Sequence, residues 1–290
     1  MLYKKLIILL LISILSFCQQ QTDVIRSNRQ NLLFSFAAKS ALDRQQCLAY
    51  SKKQQSNRTF QTSFESASEF QSFYSTPQNY ENADIHGFSS TQVRTGTNSH
   101  YGTIYAKGPS CAASVNCNHR GYPTIQLHKL AGGGFAGTVF IEFYAYLDMN
   151  VQDGQWFSFA TFSPDASDRW NNVVTMNLGN LNLGSTNYVH LWHVPYPEMN
   201  SWTYQTKPGS TSIPFQTKTW VKLSTCINFD PNNGFVKVWQ NDQLVSSAPV
   251  LSGCGVLEQV HFGLYAHPSI SSGTIYNDDL TIQEVATCPK

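Results

Sequence analysis

The sequence predicts an all-β protein built as a sandwich of two antiparallel sheets. Apolar and polar residues alternate in short stretches from about residue 59 onward, most clearly in 137–149 and 220–285. Turn residues separate the later stretches at Asp230–Gly234, Asn241–Asp242 and Ser271–Gly273. A period of two with tight turns is typical of antiparallel strands, and one apolar side per strand favours two sheets packed face to face.

Residues 1–18 are predicted to be a signal peptide. Lys4 and Lys5 precede the apolar run Leu6–Phe17, which is too short to span a bilayer comfortably, and cleavage is expected after Cys18. An uncleaved anchor is the alternative. After cleavage we expect no membrane span and a secreted or cell-surface location. The 19 basic residues fall by two to 17, against 18 acidic ones, and this balance favours neither nucleic acid nor an acidic membrane as a partner.

Six cysteines remain after removal of Cys18, and an even number behind a signal peptide indicates disulfides in an oxidising compartment. Six cysteines allow fifteen pairings. We expect Cys111–Cys117 within a loop, Cys226–Cys254 between neighbouring strands, and Cys47–Cys288 between the N-terminal region and the C-terminus. A zinc site is disfavoured because the chain has no C-x-x-C pair.

Residues 19–57 differ in composition from the remainder, since they contain neither Gly nor Pro and are rich in Gln, Ser, Lys and Arg. Apolar residues recur there at helical spacing, which predicts one or two helices between about 24 and 54. A pro-segment and an appendage packed on the sandwich edge are both open interpretations. Asn57 begins the chain's one glycosylation sequon. The β domain is predicted over 58–290.

The strands of that domain follow from the alternation. The first begins near Thr59 and ends at Glu65. A turn is expected at Gly132–Gly134, because three consecutive glycines favour one. Before the C-terminal stretch we expect further strands near 91–96, 100–106, 121–130, 137–149, 156–163, 173–179 and 188–195.

Several short motifs in the C-terminal half resemble the concanavalin A-like lectin and glucanase superfamily of jelly rolls. They are W-V-K-L at 220–223, G-F-V-K-V-W-Q-N-D at 234–242, F-G-L-Y-A at 262–266 and N-D-D-L-T-I at 277–282. The order of elements matches over roughly 58–288. The resemblance implies a jelly roll whose last strand pairs beside the first. It implies no single activity, because the superfamily contains lectins, glycosidases, lyases and adhesion modules.

The polar side of the strands carries His, Tyr, Trp and Gln rather than Lys, Glu, Thr and Ser. Aromatic rings stack on the apolar faces of sugar rings, and the polar groups supply directional hydrogen bonds to hydroxyls. We therefore expect a saccharide groove on a concave sheet and a lectin-like function, recognising a polysaccharide or glycoconjugate. The candidate carbohydrate-binding residues are Gln126, His128, Glu142, Tyr144, Trp156, His190, Trp192, Trp239, His261, Tyr265 and His267.

A polysaccharide lyase acting on a uronate-containing glycan is an alternative. The chain is similar in outline to alginate-lyase-type jelly rolls, through Q-V-R ending at Arg94, Q-L-H at 126–128 and F-G-L-Y ending at Tyr265. The resemblance implies proton transfer by His128 and Tyr265, with Arg94 and Gln126 neutralising the carboxylate. The first motif lacks its Glu and second Arg, and the last lacks two residues between Phe and Gly.

Two other functions are weighed against these. A laminarinase-type glycoside hydrolase is disfavoured, because the nearest stretch, Glu142 to Asp148, does not fit the E-x-D-x-E or E-x-D-x-x-E carboxylate pattern. A structural or adhesive protein of an extracellular matrix or surface is a further alternative. The sequence does not predict the oligomeric state.

A structural calcium ion is implied by the same superfamily resemblance. Its members often hold one between a carboxylate of the first strand and one of the last, with carbonyl groups completing the shell. The matching residues are Glu65, Asp278 and Asp279. Hard oxygen ligands suit calcium, although two carboxylates alone would not saturate it.

Overall fold

A computed structural model describes residues 57–66, 69, 74–75, 84–106, 118–166, 172–180, 186–193, 213–250 and 253–289. All of these belong to the unit Ala49–Lys290. The predicted signal peptide, the predicted helices and Cys47, Cys111 and Cys117 lie outside the described residues and stay predictions. Asn57 is exposed, and its glycosylation also stays a prediction.

The described residues form seventeen strands and a 3-10 helix at Leu127–Lys129. In chain order the strands are β1 (Thr59–Thr62), β2 (Tyr74–Ser75), β3 (Asp84–Ser89), β4 (Ser99–Ile104), β5 (His119–Gly121), β6 (Thr124–Ile125), β7 (Phe135–Ala136), β8 (Thr138–Asp148), β9 (Phe157–Ser163), β10 (Val174–Gly179), β11 (Tyr188–His193), β12 (Trp220–Asn228), β13 (Phe235–Gln240), β14 (Gln243–Pro249), β15 (Val256–Leu257), β16 (Gln259–Ala266) and β17 (Gly273–Val285).

Two large antiparallel sheets confirm the predicted all-β sandwich. The eight-stranded sheet has the order β14-β13-β12-β8-β17-β4-β3, with β1 also paired to β17. The seven-stranded sheet has the order β11-β10-β9-β16-β6-β2, with β5 also paired to β16. Strands β7 and β15 form a small separate pair. The pairing of β1 with β17, in which Phe60 lies opposite Ile282, confirms that the last strand runs beside the first.

The core lies between the two large sheets and follows from the alternation of each strand. In β8 every second residue, from Val139 to Leu147, is at most 1% exposed, while the residues between them are half-buried. Phe143 of β8 meets Phe262 of β16 with ring centroids 5.1 Å apart. Each fully buried Phe stabilises the fold by roughly 1.5–3 kcal/mol. The sandwich is therefore held by side chains that the two facing sheets share.

Turn chemistry was a reliable guide to the hairpins. Asn241 and Asp242 have φ angles of 47° and 66° between β13 and β14, as a two-residue type I′ turn requires. Two predicted strands are wrong. Residues 91–96 form a loop between β3 and β4, and 121–130 are divided into the end of β5, all of β6 and the 3-10 helix. Pro123 between β5 and β6 has no N–H for a ladder hydrogen bond.

The disulfide arrangement also differs from the prediction. Cys226 of β12 is bonded to Cys288, which follows β17, with a Cα–Cα distance of 5.8 Å. Cys254 is also disulfide-bonded. Its partner is neither Cys226 nor Cys288, because these two are bonded to each other. The expected Cys226–Cys254 and Cys47–Cys288 pairs are therefore wrong.

Candidate functional site

The outer face of the seven-stranded sheet carries two rows of polar and aromatic side chains. In β16, Phe262 and Leu264 are at most 1% exposed and point into the core. His261 and Tyr265 alternate with them and lie on the opposite side, as predicted. The strand registers extend each into a row: one is Trp192, Thr175, Thr161, His261 and Thr124, and the other is His190, Asn177, Ser158, Tyr265 and Arg120. We call these two rows the polar face.

Tyr265 lies at the centre of an aromatic cluster on the polar face. Trp156 and Tyr122 meet its ring edge to face at centroid distances of 4.9 and 6.2 Å. The Asn118 amide donates to its hydroxyl oxygen at 3.1 Å, and the Arg120 guanidinium lies 5.1 Å from its ring. The Tyr265 phenol thus has an amide at its hydroxyl and a guanidinium over its ring, beside other rings that could stack on a sugar.

The other rings of the cluster are histidines. His261 stacks on Tyr122 at 4.2 Å, and His267 meets Trp156 at 6.3 Å. Burial lowers the pKa of His261 well below its usual range, and the charge of Arg120 lowers it further. Burial also lowers the pKa of His190 to about 4. These two rings are therefore neutral at pH 7, and Nδ1 of His190 lies 3.3 Å from the Tyr188 carbonyl oxygen.

Two oxygen atoms of the polar face have no hydrogen-bond partner among the residues that the structure describes. They are Thr175 Oγ1 and Asn177 Oδ1. Their residues are 7% and 8% exposed. A buried polar atom without a partner destabilises a fold by about 1–3 kcal/mol, so such atoms require an explanation. An ordered water molecule or a ligand hydroxyl would supply the missing partner of each.

Three predicted carbohydrate-binding residues lie on the other sheet. Glu142 and Tyr144 belong to β8 and Trp239 to β13, so they are on the outer side of the eight-stranded sheet. Glu142 accepts a hydrogen bond from Ser224 at 3.0 Å, and Trp239 is 4% exposed. The predicted single face is therefore divided between the two sheets. Alternation identifies the polar side of each strand, but it does not identify the sheet to which that strand belongs.

The predicted catalytic residues are not brought together. Both the backbone N–H and Nδ1 of His128 lie within hydrogen-bond distance of the Glu258 carbonyl oxygen, at 2.9 and 3.2 Å. Glu258 precedes Tyr265 by seven residues of extended chain, which corresponds to roughly 20 Å. Gln126 immediately precedes the same 3-10 helix. Arg94 pairs with Asp279 and lies over the Tyr144 ring, on the outer side of the eight-stranded sheet.

Trp156 beside Tyr265 was predicted from the sequence, whereas Asn118, Arg120 and Tyr122 were not. Tyr122 lies in the stretch 121–130, which was predicted as one continuous strand, and Arg120 precedes that stretch. Thr175 and Asn177 alternate with Val174, Met176 and Leu178 in the sequence, so their polar face could have been recognised. Asn118 could not be predicted, because apolar and polar residues do not alternate in the segment before it.

The predicted metal-binding residues converge on the loop 94–98 between β3 and β4. Glu65 accepts from the backbone N–H of Thr97 and Asn98, at 3.0 and 3.2 Å. Asp278 accepts from the backbone N–H of Arg94 at 2.9 Å, and the Arg94 side chain binds Asp279. Burial raises the pKa of Asp278 to about 6, against the opposing effect of its hydrogen bonds. Carboxylate oxygens, the ligand type that calcium prefers, are thus held at both sides of one loop.

These carboxylates would need additional ligands. Among the described residues, no group of three or more His, Cys, Asp and Glu side chains could hold a metal ion. Backbone carbonyls or water would therefore have to complete a calcium shell.

Comparisons with known proteins agree with the fold. No protein-family model and no curated protein sequence matches the chain. The cellulose-induced protein Cip1 is similar in structure with a TM-score of 0.51, at 13% identity, over 74% of this chain and 92% of that one. An endo-β-1,4-glucuronan lyase from the fungus Trichoderma reesei gives 0.47 at 15% identity, over 71% and 89%. A Bacteroides ovatus GH16 protein gives 0.47 at 12% identity, over 77% and 99%.

The part of the chain that the structure describes contains no helix long and apolar enough to cross a membrane.

The likeness to Cip1 concerns the arrangement of strands, since the identity is low. Together with the two antiparallel sheets and the pairing of first and last strands, it shows that the chain has the predicted fold, an antiparallel jelly-roll sandwich of two sheets.

Proposed function

We propose that the protein is a secreted or cell-surface lectin-like protein that binds a polysaccharide or glycoconjugate on the polar face. The observation that carries the proposal is the pair of cross-strand rows, in which aromatic rings flank buried polar groups. The unsatisfied oxygens of Thr175 and Asn177 are compatible with it, because a sugar hydroxyl or an ordered water would satisfy them. The Cys226–Cys288 disulfide supports an oxidising location.

Replacement of Trp156 tests this proposal. Trp156→Ala removes a half-buried ring beside Tyr265, and aromatic anchors at binding sites are commonly worth about 2 kcal/mol, or roughly 30-fold in affinity. The ligand is identified on a glycan array, and its affinity is measured by calorimetry. Trp156→Phe keeps an aromatic ring and should lose less. Leu244→Ala, at an exposed position of β14, should bind as the wild type does.

Silence on the array, together with tight capture of a protein partner, would contradict the proposal and favour the structural or adhesive alternative. An unchanged affinity of Trp156→Ala for an identified glycan would also overturn the polar face as its binding site.

A lyase acting on a uronate-containing glycan is the second candidate, and the surroundings of Tyr265 favour it. Tyr265 can take the proton next to the carboxylate and return one to the leaving glycosidic oxygen, while the Arg120 guanidinium could neutralise the carboxylate and the Asn118 amide could hydrogen-bond to it. His128 is not needed in this arrangement.

Tyr265→Phe separates the two candidates. In a lectin it should weaken binding by about 0.5–1.5 kcal/mol, whereas in a lyase it should lower turnover on the order of 10²–10⁴-fold with little change in binding. Release of unsaturated uronate products reports the turnover.

We also propose a structural calcium ion between Glu65 and one of the two neighbouring carboxylates, Asp278 or Asp279, with backbone carbonyls or water as its other ligands. Calcium bound to the folded state alone, at a hundredfold excess over its dissociation constant, stabilises by about 2.7 kcal/mol. The melting temperature should therefore fall by about 5–10 °C in chelator and recover when calcium is added. Asp279→Asn should lose this response, while Asp148→Asn, which changes an exposed carboxylate of the same sheet, should keep it. An identical melting curve with and without chelator would refute the site.

A further inference from the structure

A row of four aromatic side chains crosses the outer side of the eight-stranded sheet, away from the polar face. Tyr101, Tyr276, Tyr146 and Trp220 lie opposite one another on β4, β17, β8 and β12. Successive ring centroids are 6.5, 5.9 and 5.7 Å apart. Three strand spacings of about 4.8 Å give the row a length of roughly 14 Å. We call these four residues the aromatic row.

The aromatic row is at the surface. Ile275 and Val221, which alternate with its members, are 0% exposed, whereas all four rings are half-buried. Two large apolar side chains beside β4 are exposed: Tyr105 is 64% exposed and Ile85 of β3 is 50% exposed. The Tyr101 ring extends over Gly87 of β3, because a Cβ atom there would stand 3.4 Å from its Cε1. The row therefore continues as an apolar strip to the edge strand.

The charged groups around the aromatic row are paired within the protein. Asp148 pairs with Lys218 at 3.3 Å, and Lys222 pairs with Asp242 at 2.7 Å. Arg94 pairs with Asp279. The pKa of Tyr276 is raised by burial and then by Asp148, so its hydroxyl stays protonated and can donate or accept. The surface thus offers rings, neutral hydroxyls and an indole N–H, which suit a neutral, hydroxyl-rich partner rather than an anionic one.

The size of the row also limits its partner. Four half-buried rings of roughly 200 Å² each expose far less than the ~800 Å² that each side of a stable protein interface buries. An extended strip one ring wide is instead matched by a chain of pyranose rings, whose C–H faces stack on aromatic rings.

We propose that the aromatic row is a second carbohydrate-binding surface, which takes an extended, neutral polysaccharide chain laid across the strands. The polar face and the aromatic row lie on different sheets, so one molecule could contact two glycan chains at once. Two linked contacts of this kind raise the overall avidity without any new contact in either site.

Calorimetry with cellohexaose and mannohexaose, two neutral β-linked oligosaccharides, tests the aromatic row. Trp220→Ala and Tyr146→Ala should each weaken binding of at least one of these probes by about tenfold or more, as loss of a central aromatic anchor does. Leu244→Ala, an exposed apolar residue of edge strand β14 in the same sheet, should leave the affinity unchanged. Trp156→Ala removes any contribution of the polar face, so the loss caused by Trp220→Ala should be as large in the Trp156→Ala background as in the wild type, and failure of the polar face and failure of the aromatic row are distinguishable.

Melting curves show whether each variant is folded. If Trp220→Ala or Tyr146→Ala unfolds, Tyr101→Ala removes the terminal ring over Gly87 and takes its place. A change in tryptophan fluorescence that a probe causes in the wild type and not in Trp220→Phe reports contact near Trp220 independently of affinity, because the other five tryptophans are present in both proteins. The proposal is overturned if neither probe binds the wild type, or if folded variants of the row bind both probes as tightly as the wild type.

Discussion

Arg58→Met is expected to lower the free energy of unfolding by about 3–5 kcal/mol, because it leaves a buried carboxylate without its counter-charge. The Glu284 side chain is 0% exposed and pairs with the Arg58 guanidinium at 2.7 Å. Glu284 also accepts from the backbone N–H of Arg58 and of Ala136, at 3.0 and 2.8 Å. Arg58 in turn donates to the Gly133 carbonyl at 2.7 Å and packs over Phe135. One side chain thereby joins the first strand, the last strand and the glycine turn.

Urea unfolding measures this effect, provided that the slope with denaturant is unchanged. Lys218→Met is the matched control, since it removes a cation from the exposed Lys218–Asp148 pair and should cost at most about 1 kcal/mol. Glu284→Gln should destabilise the Arg58→Met variant less than it destabilises the wild type, because the Glu284 carboxylate of that variant already lacks its counter-charge. A loss of under 1 kcal/mol for Arg58→Met would mean that Glu284 is solvated despite its burial.

The strands that could be predicted from the sequence are those in which packing and local pattern agree. β8 alternates strictly between Thr138 and Asp148, and every second residue faces the core. The Asn241–Asp242 turn combines two residues that tolerate positive φ, so the hairpin β13–β14 was predictable from local chemistry alone. Where Pro123 interrupts the pattern, one expected strand became two short strands and a 3-10 helix.

The candidate site was predictable only in part, because it depends on which strands become neighbours. The orientation of Tyr265 and His261 followed from their own strand. That β16 has β9 on one side and β5 on the other is a matter of topology, and it is this arrangement that brings Trp156 and Arg120 to Tyr265. Residues on the polar side of a strand were therefore identified correctly and then assigned to one common sheet, although β8 and β13 belong to the other.

The pairing of Cys226 leads to the second large effect. β12 and β17 are separated by β8, so their backbones lie about 10 Å apart, too far for a direct disulfide between facing residues. The chain after Val285 must therefore cross the outer side of β8 before Cys288 reaches Cys226 at a Cα–Cα distance of 5.8 Å. A prediction based on neighbouring strands could not find this pair, because the crossing segment has no strand pattern.

The double variant Cys226→Ala/Cys288→Ala should lose about 4 kcal/mol of stability, since the bond closes a loop of 62 residues in the unfolded chain. Cys226 is 0% exposed, so alanine keeps an apolar side chain there, and each single variant would leave a free thiol that confuses the comparison. Urea unfolding of the double variant measures the loss, and mapping of unreduced peptides should recover Cys226 linked to Cys288 in the wild type. Cys254 serves as the internal check, because its own disulfide should persist in the double variant. Recovery of a Cys226–Cys254 peptide, or a loss below 1 kcal/mol, would show that the C-terminal segment does not hold β12 across β8.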